Sequence, residues 1–445
     1  MNEIAKGLFG MTRQAKTELL ARLIVRTGEG GSDGRPADGG RSGLADLPGF
    51  AEMKLLQDGA KKFGIANPYF HPQQGIAGAT TVIEDRVRVN FASYNYLGLN
   101  GHPAVSAAAN AAIEAYGTSV SASRLVAGER PLHRALEDAL ASFHRTEACL
   151  ALVSGYTTNV SLLGHLMGGR DLIVHDTLIH NSLFQGALLA KAHRAPFAHN
   201  DPDACGRALA DKRKHHRRAM IVIEGLYSMD GDLPDLPAFI ALARRYDAWL
   251  YLDEAHSLGV LGERGAGLAE HWGVDPAAVD IRMGTLSKTL ASCGGYVTGR
   301  SELIEYLRYT LPGFVYSVGM APPQTAAALA ALTVLREEPE RVAALRRNGA
   351  YLLGRLRDLG LDTGGAVGAA VVPLITGSSA IAARLSERLL ARGFNVPPIL
   401  FPAVPEGSAR LRFFLTSGHT ADQIDGVVAA VAAEMGRQVA TGGPE

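Results

Sequence analysis

Beyond residue 148 the chain alternates two patterns: short, largely apolar runs, and longer stretches whose apolar residues recur every three or four. The short runs lie at 149–153, 172–174, 220–223, 250–252, 281–283 and 296–298, and helical stretches at 158–167, 182–191 and 236–246 separate several of them. A strand buried on one face alternates apolar and polar residues, so continuous apolar strands are buried on both. The pattern therefore predicts an α/β fold with a mostly parallel sheet sandwiched between helices. Functional groups in such sheets gather at the carboxyl ends of the strands.

The flanking regions read differently. Leu19, Leu20, Leu23 and Ile24 fall at helical spacing against Arg13, Lys16, Arg22 and Arg26, which predicts an amphipathic helix over 12–26. Residues 28–49 are rich in Gly, Asp, Ser and Arg, the composition of a flexible linker. A helix to about residue 63 follows, then extended runs at 80–83 and 87–91 and helices over 103–116 and 132–143, with Pro103 in a first turn. After Pro322 a long helical region is predicted to about residue 359. It leads to a smaller α+β unit with strands at 371–374 and 411–415, and Thr420 with Gln423 makes a capping box for the last helix.

Composition narrows the function classes. At 445 residues and 47% hydrophobic content, the chain can bury a large core and form two or three domains. Lys plus Arg and Asp plus Glu both total 44, so no overall field draws the protein to nucleic acid or an anionic membrane. An anion site must be local. Cys149, Cys205 and Cys293 have neither a disulfide framework nor zinc-ligand spacing, and read as reduced, small apolar residues. The N-terminus lacks a signal peptide's apolar core, and no run approaches the roughly 18 apolar residues of a membrane span, so a cytoplasmic protein without a transmembrane segment is expected.

Candidate chemistry sits just past the apolar runs. Ser154-Gly155-Tyr156 opens a helix, where amides and the helix dipole favour a phosphate; a plain strand-to-helix turn has the same form. His180-Asn181-Ser182 stands at another helix start, and His180 also suits a capping role. Tyr227-Ser228-Met229-Asp230-Gly231-Asp232 follows the strand ending in Glu224, and Asp253-Glu254-Ala255-His256-Ser257-Leu258-Gly259 follows the next. An Asp that ends a buried strand needs a cationic partner, and a protonated pyridine nitrogen is one. Lys288, in Gly284-Thr285-Leu286-Ser287-Lys288, lies among small and hydroxylated residues after the run 281–283. A partly dry lysine loses proton affinity and forms a Schiff base with an aldehyde such as that of pyridoxal 5'-phosphate (PLP). A bare Thr-x-x-Lys also fits a lysine snorkelling from a strand end.

Taken together and in order, these motifs resemble the α-oxoamine synthases, PLP enzymes of fold type I, over roughly residue 50 to the C-terminus. The resemblance implies a large domain with a mostly parallel seven-stranded sheet and a smaller α+β C-terminal domain. The expected division is an N-terminal helix and linker over 1–49, a segment packing with the small domain over 50–110, the large PLP-binding domain over 111–325 and the small domain over 326–445. The implied reaction is decarboxylative, Claisen-type condensation of a small L-amino acid (serine, alanine or glycine) with an acyl thioester, from acyl-CoA or an acyl carrier protein. By the same comparison Lys288 is the Schiff-base lysine, Asp253 the partner of the pyridinium nitrogen, and His256 a donor to the phenolic oxygen. His180 stacks on the ring. Gly155, Tyr156, Ser228 and Thr285 hold the cofactor, mainly its phosphate, and Arg412 fixes the amino acid carboxylate, while Arg410 is structural.

Family members place a hydroxyl pair from the neighbouring subunit near the phosphate. Here Ser317 matches one hydroxyl and Val318 replaces the other, and the implied assembly is a homodimer with a shared site. Tyr94 stands where several relatives have Asn, within a run similar to serine palmitoyltransferase and to synthases of polyketide pathways. Ser123 replaces the threonine that restricts aminolevulinate synthase to glycine, leaving room for a larger side chain. Ala403 replaces a threonine near the acyl site of aminooxononanoate synthase. Another fold type I activity, aminotransfer or retro-aldol cleavage, and a PLP-fold sensor without turnover are the alternatives. The basic run 212–218 could bind CoA phosphates or an acidic carrier protein, but reads as a solvated helix end.

Overall fold

The computed structural model describes residues 43, 47, 49–62 and 64–440. The helix expected over 12–26 and most of the linker expected over 28–49 lie outside the described residues. A helix, Phe50–Lys62, precedes a hairpin of β1 (Thr80–Ile83) and β2 (Arg86–Asn90). Its two turn residues, Glu84 and Asp85, both have positive φ, 53° and 55°, the twist that matches a tight hairpin.

The expected α/β region follows. Helices separate β3 (Ala148–Leu152), β4 (Leu172–Asp176), β5 (His193–Phe197), β6 (Ala219–Glu224) and β7 (Trp249–Asp253), and the sheet closes with β8 (Ile281–Thr285) and β9 (Gly295–Gly299). The seven strands lie in the order β3-β9-β8-β7-β6-β4-β5. All neighbours are parallel except β9, which runs antiparallel to both β3 and β8. Every residue of β4, β6, β8 and β9 is buried, as continuous apolar runs require. Gly284 is needed for close packing, because a Cβ there would fall 2.2 Å from the Tyr296 hydroxyl oxygen. The missed strand, β5, is an edge strand that pairs only with β4; its mostly exposed sequence His-Arg-Ala-Pro-Phe carries no continuous apolar signal, and Pro196 is tolerated because an edge leaves one side unpaired.

The structure sharpens three sequence readings. The helical region after Pro322 is two helices, Pro322–Glu337 and Glu340–Asp358, broken where Pro339 cannot donate a backbone hydrogen bond. Cys293 is exposed, while Cys149 and Cys205 are buried. The basic run does follow a helix end, at Pro202–Lys212, with Lys214, His215 and Arg217 exposed, but part of it is also held by structure: Arg217 and Arg218 both pair with the fully buried Asp171, holding its carboxyl well below the usual range, and Arg213 donates to the carbonyls of Tyr246 and Asp247. Removing either arginine leaves part of a buried carboxylate uncompensated.

The C-terminal part contains β10 (Val371–Gly377), β11 (Phe394–Asn395), β12 (Pro398–Ile399) and β13 (Ala409–Phe414), with helices Ser379–Ala391 and Ala421–Ala440. β10, β13 and β12 form an antiparallel sheet, while β11 adds in parallel to β2 and ties the early hairpin to this unit. The capping box forms as read: Thr420 and Gln423 exchange side chain-to-amide hydrogen bonds of 3.1 and 3.2 Å. Among the described residues no helix is long and apolar enough to cross a membrane, and no group of His, Cys, Asp and Glu is set to hold a metal.

Candidate active site

The central parallel strands deliver side chains to one rim. β6 ends in Glu224, β7 in Asp253, and β8 in Thr285, three residues before Lys288. The turn carrying Lys288 is held by Leu286 donating its amide to the Gly294 carbonyl at 2.9 Å and by the Thr285 hydroxyl donating to the same carbonyl at 3.0 Å. Lys288 Nζ sits 5.5 Å from the Tyr94 ring centroid. Burial lowers its pKa to about 8, against the opposing pull of Asp253 and Glu224. About a tenth of this amine is therefore neutral and nucleophilic at pH 7, far more than for an ordinary lysine.

Asp253 is buried and held by two neutral donors, the Ala255 amide at 2.8 Å and Asn159 Nδ2 at 2.7 Å. His180 caps the helix Asn181–Leu189, its Nδ1 lying 3.3 Å from the Ser182 amide and 2.7 Å from the Ser182 hydroxyl. Its own amide donates to Glu224 at 2.5 Å. Desolvation lowers the His180 imidazole below its usual value even though part of the residue is open to the site, and Asp253 opposes the shift. Burial, then Asp253, pushes the Glu224 carboxyl well above the usual range.

His256 Nδ1 lies 2.7 Å from the Tyr96 hydroxyl in a fully buried contact. Burial, then Lys288, holds its pKa well below the ordinary value, and burial keeps Tyr96 protonated. On β13, Arg410 and Arg412 share a face by the two-residue period of a strand. Arg410 pairs with Asp230 at 2.6 Å, a structural role, while Arg412 donates to the Ser228 carbonyl at 2.9 Å and stacks 4.5 Å over Phe414. The buried Arg412 Nε has no hydrogen-bond partner among the described residues, and Tyr94 lies within hydrogen-bonding reach of the guanidinium. An unpartnered buried guanidinium N–H calls for an acceptor, and a carboxylate is the natural one.

Gly155 begins the helix Gly155–Leu166, with Ser154 capping it through the Thr157 amide. A Cβ on Gly155 would fall 2.7 Å from Thr285 Oγ1, so the helix start can lie against β8 only as glycine. Tyr156 packs edge-on to His180 with ring centroids 6.3 Å apart. Ser228 contributes its carbonyl to Arg412. Ser123 and Ser317 lie apart from this cluster and near each other: the Gly319 amide donates to the Ala122 carbonyl at 3.0 Å. The Ser317 hydroxyl donates to the adjacent Val318 carbonyl.

Sequence reading passed over Asn159, Tyr251, Ser182, Glu224 and Tyr96 as site residues. Their signal was faint, since an isolated Asn or Tyr on an apolar element is ordinarily packing, and Tyr96 is 160 residues away from His256 in the chain.

A lysine amine of low proton affinity, a carboxylate held by two donors, and a helix start narrowed to glycine fit the aldehyde, ring nitrogen and phosphate of PLP respectively. The chain belongs to the aminotransferase class I and II family, whose sequence model matches residues 86–431. It is a PLP-dependent enzyme of fold type I. The 8-amino-7-oxononanoate synthase of Symbiobacterium thermophilum is 37% identical over 382 residues, 86% of this chain and 96% of that protein. Sphingomonas wittichii serine palmitoyltransferase superposes with a TM-score of 0.85 at 28% identity, over 90% of this chain and 100% of its own. A serine palmitoyltransferase solved with PLP gives 0.84 at 28% identity, with the same coverage of 90% and 100%. Within its family the chain is an α-oxoamine synthase, a C-acyltransferase.

Proposed function

We propose that the protein joins a small L-amino acid (serine, alanine or glycine) to an acyl thioester with loss of CO2, releasing the thiol and an α-amino ketone, in the manner of serine palmitoyltransferase. The observation that carries this reading is Arg412 on β13, whose buried Nε lacks a partner among the described residues and whose charge reaches Lys288. A guanidinium there fixes the amino acid carboxylate and so sets which bonds to Cα face the ring.

PLP supplies a protonated ring that accepts negative charge from the amino acid Cα. Asp253 would hold the proton on the ring nitrogen, and His256 would donate from Nε2 to the phenolic oxygen. Gly155, Tyr156, Ser228 and Thr285 would hold the phosphate. Lys288 Nζ, with its pKa near 8, would take the Cα proton. His180 would cover the ring and, from Nε2, hydrogen-bond the carboxylate that departs as CO2.

A cavity of about 710 Å3 begins at Lys288 and Tyr94, and Gln73, Asn100 and Gln324 are among the residues that line it. Its neutral amides suit the amide-bearing arm on which CoA or an acyl carrier protein presents a thioester. This favours condensation over simple aminotransfer. The homodimer is supported by Val126 and Tyr316, 83% and 87% exposed on the neighbouring segments that carry Ser123 and Ser317.

The test is incubation of the holoenzyme with each amino acid and a series of acyl-CoAs, reading free thiol and CO2. Equal release of both with an amino ketone is expected. Keto acid or aldehyde without thiol, or an absorbance change without product, would overturn the reading.

A further inference from the structure

Asn159 is 2% exposed on the helix Gly155–Leu166, one turn beyond Gly155, and every polar atom of its side chain is engaged. Nδ2 donates to Asp253 Oδ2 at 2.7 Å and to the Ser182 hydroxyl at 2.9 Å, and Oδ1 accepts from the Tyr251 hydroxyl at 2.6 Å. The Ser182 hydroxyl in turn lies 2.7 Å from His180 Nδ1. From these contacts we infer that Asn159 is a positioning residue that couples Asp253 to His180 and fixes the proton pattern of both.

The argument is one of hydrogen-bond accounting. A carboxylate oxygen only accepts, so the amide must turn its NH2 toward Asp253, and Tyr251 secures that orientation by donating to the opposite end. Both Nδ2 hydrogens are then used. Ser182 Oγ, receiving one of them, sends its own hydrogen to His180 Nδ1, which the Ser182 amide also approaches at 3.3 Å. With Nδ1 accepting, a neutral His180 carries its hydrogen on Nε2. The reverse amide orientation would set Oδ1 against Asp253, acceptor against acceptor, in a buried site where that is expensive. The direction of the bonds from Asp253 to Ser182 thus follows from one asparagine, and the Ser182 amide reinforces the accepting role of His180 Nδ1. Its sequence signal was only the asparagine of Gly155-Tyr156-Thr157-Thr158-Asn159.

This inference rests on the roles proposed above for Asp253 and His180, and the experiment separates the two. Three quantities are measured: PLP affinity of the apoenzyme by fluorescence titration, the pH midpoint of the bound cofactor's visible absorption, and kcat and KM for the amino acid. Asn159→Leu removes both donors and should weaken PLP binding about tenfold, move the absorption midpoint and lower kcat by about ten- to hundredfold, the loss expected for a buried bond to a charged group. KM should change less than about threefold, because Arg412 lies on a separate strand. Tyr251→Phe should give the same pattern more weakly. Ser182→Ala should lower kcat while leaving PLP affinity near wild type, since the bond to Asp253 survives. If Asn159→Leu does not fold, Tyr251→Phe and Asn159→Gln decide the matter. Unchanged PLP affinity and absorption midpoint in the folded variants, with Asp253→Asn altering both, would overturn the coupling alone. Unchanged values in Asp253→Asn as well would overturn the assignment of Asp253 on which it rests.

Discussion

The Tyr96 hydroxyl meets His256 Nδ1 at 2.7 Å within a contact that excludes water from both groups. Burial keeps the phenol protonated and the imidazole neutral, so Tyr96 donates, Nδ1 accepts, and His256 presents an N–H at Nε2. Tyr96→Phe should preserve the fold but leave Nδ1 without its donor, at a cost of about 1–3 kcal/mol. PLP affinity should fall, and the pH midpoint of cofactor absorption should shift. Wild-type values for both would show that Tyr96 only packs.

Capture of PLP by the apoenzyme should report the lowered proton affinity of Lys288. Only the neutral amine attacks an aldehyde, so the rate should rise with pH around a midpoint near 8 rather than near the ordinary lysine value. Borohydride reduction after loading should fix a pyridoxyl group on the peptide containing Lys288. Lys288→Ala should show no such label and no turnover, while melting near the wild-type temperature.

Arg412→Lys keeps the charge and loses the planar fork. Amino acid kcat/KM should fall by about a hundredfold, in line with losing one partner of a buried charged pair. Keto acid released without thiol should increase as the carboxylate is held less firmly. Steady-state kinetics with parallel thiol and keto acid assays check this.

His199 bridges Asp176 at 2.9 Å and Asp232 at 3.1 Å, and these bonds raise its pKa to about 10 despite desolvation. A raised folded-state value means that the stabilisation is full below the unfolded histidine value, about 6.5, and is lost as pH rises through about 10. His199→Gln should therefore cost about 1–2 kcal/mol near pH 6, the range for a partly solvated charged hydrogen bond. The gap between variant and wild-type melting temperatures should narrow toward pH 10; a constant gap would sink the idea.

The exposed pair Val126 and Tyr316 should lie in the dimer contact. Val126→Glu or Tyr316→Glu should shift the molar mass measured by light scattering from dimer toward monomer and reduce activity together with it. A monomeric wild-type protein would refute the shared site.

The chain's own sequence determined the layered fold and the sites of its strongest chemistry. Largely apolar runs locate six of the seven large-sheet strands, because burial on both faces leaves a local signature that needs no partner to be read. Residues at strand ends, Asp253 and Lys288 among them, are legible because a parallel sheet must deliver them to one rim. The edge strand β5 was not, since half-exposed positions select few apolar residues. Tertiary structure alone decided that Asn159 holds Asp253, and that Tyr96 meets His256 across 160 residues of chain. A hydrogen bond depends on where two atoms arrive after folding, and neither the type nor the spacing of these residues records that meeting.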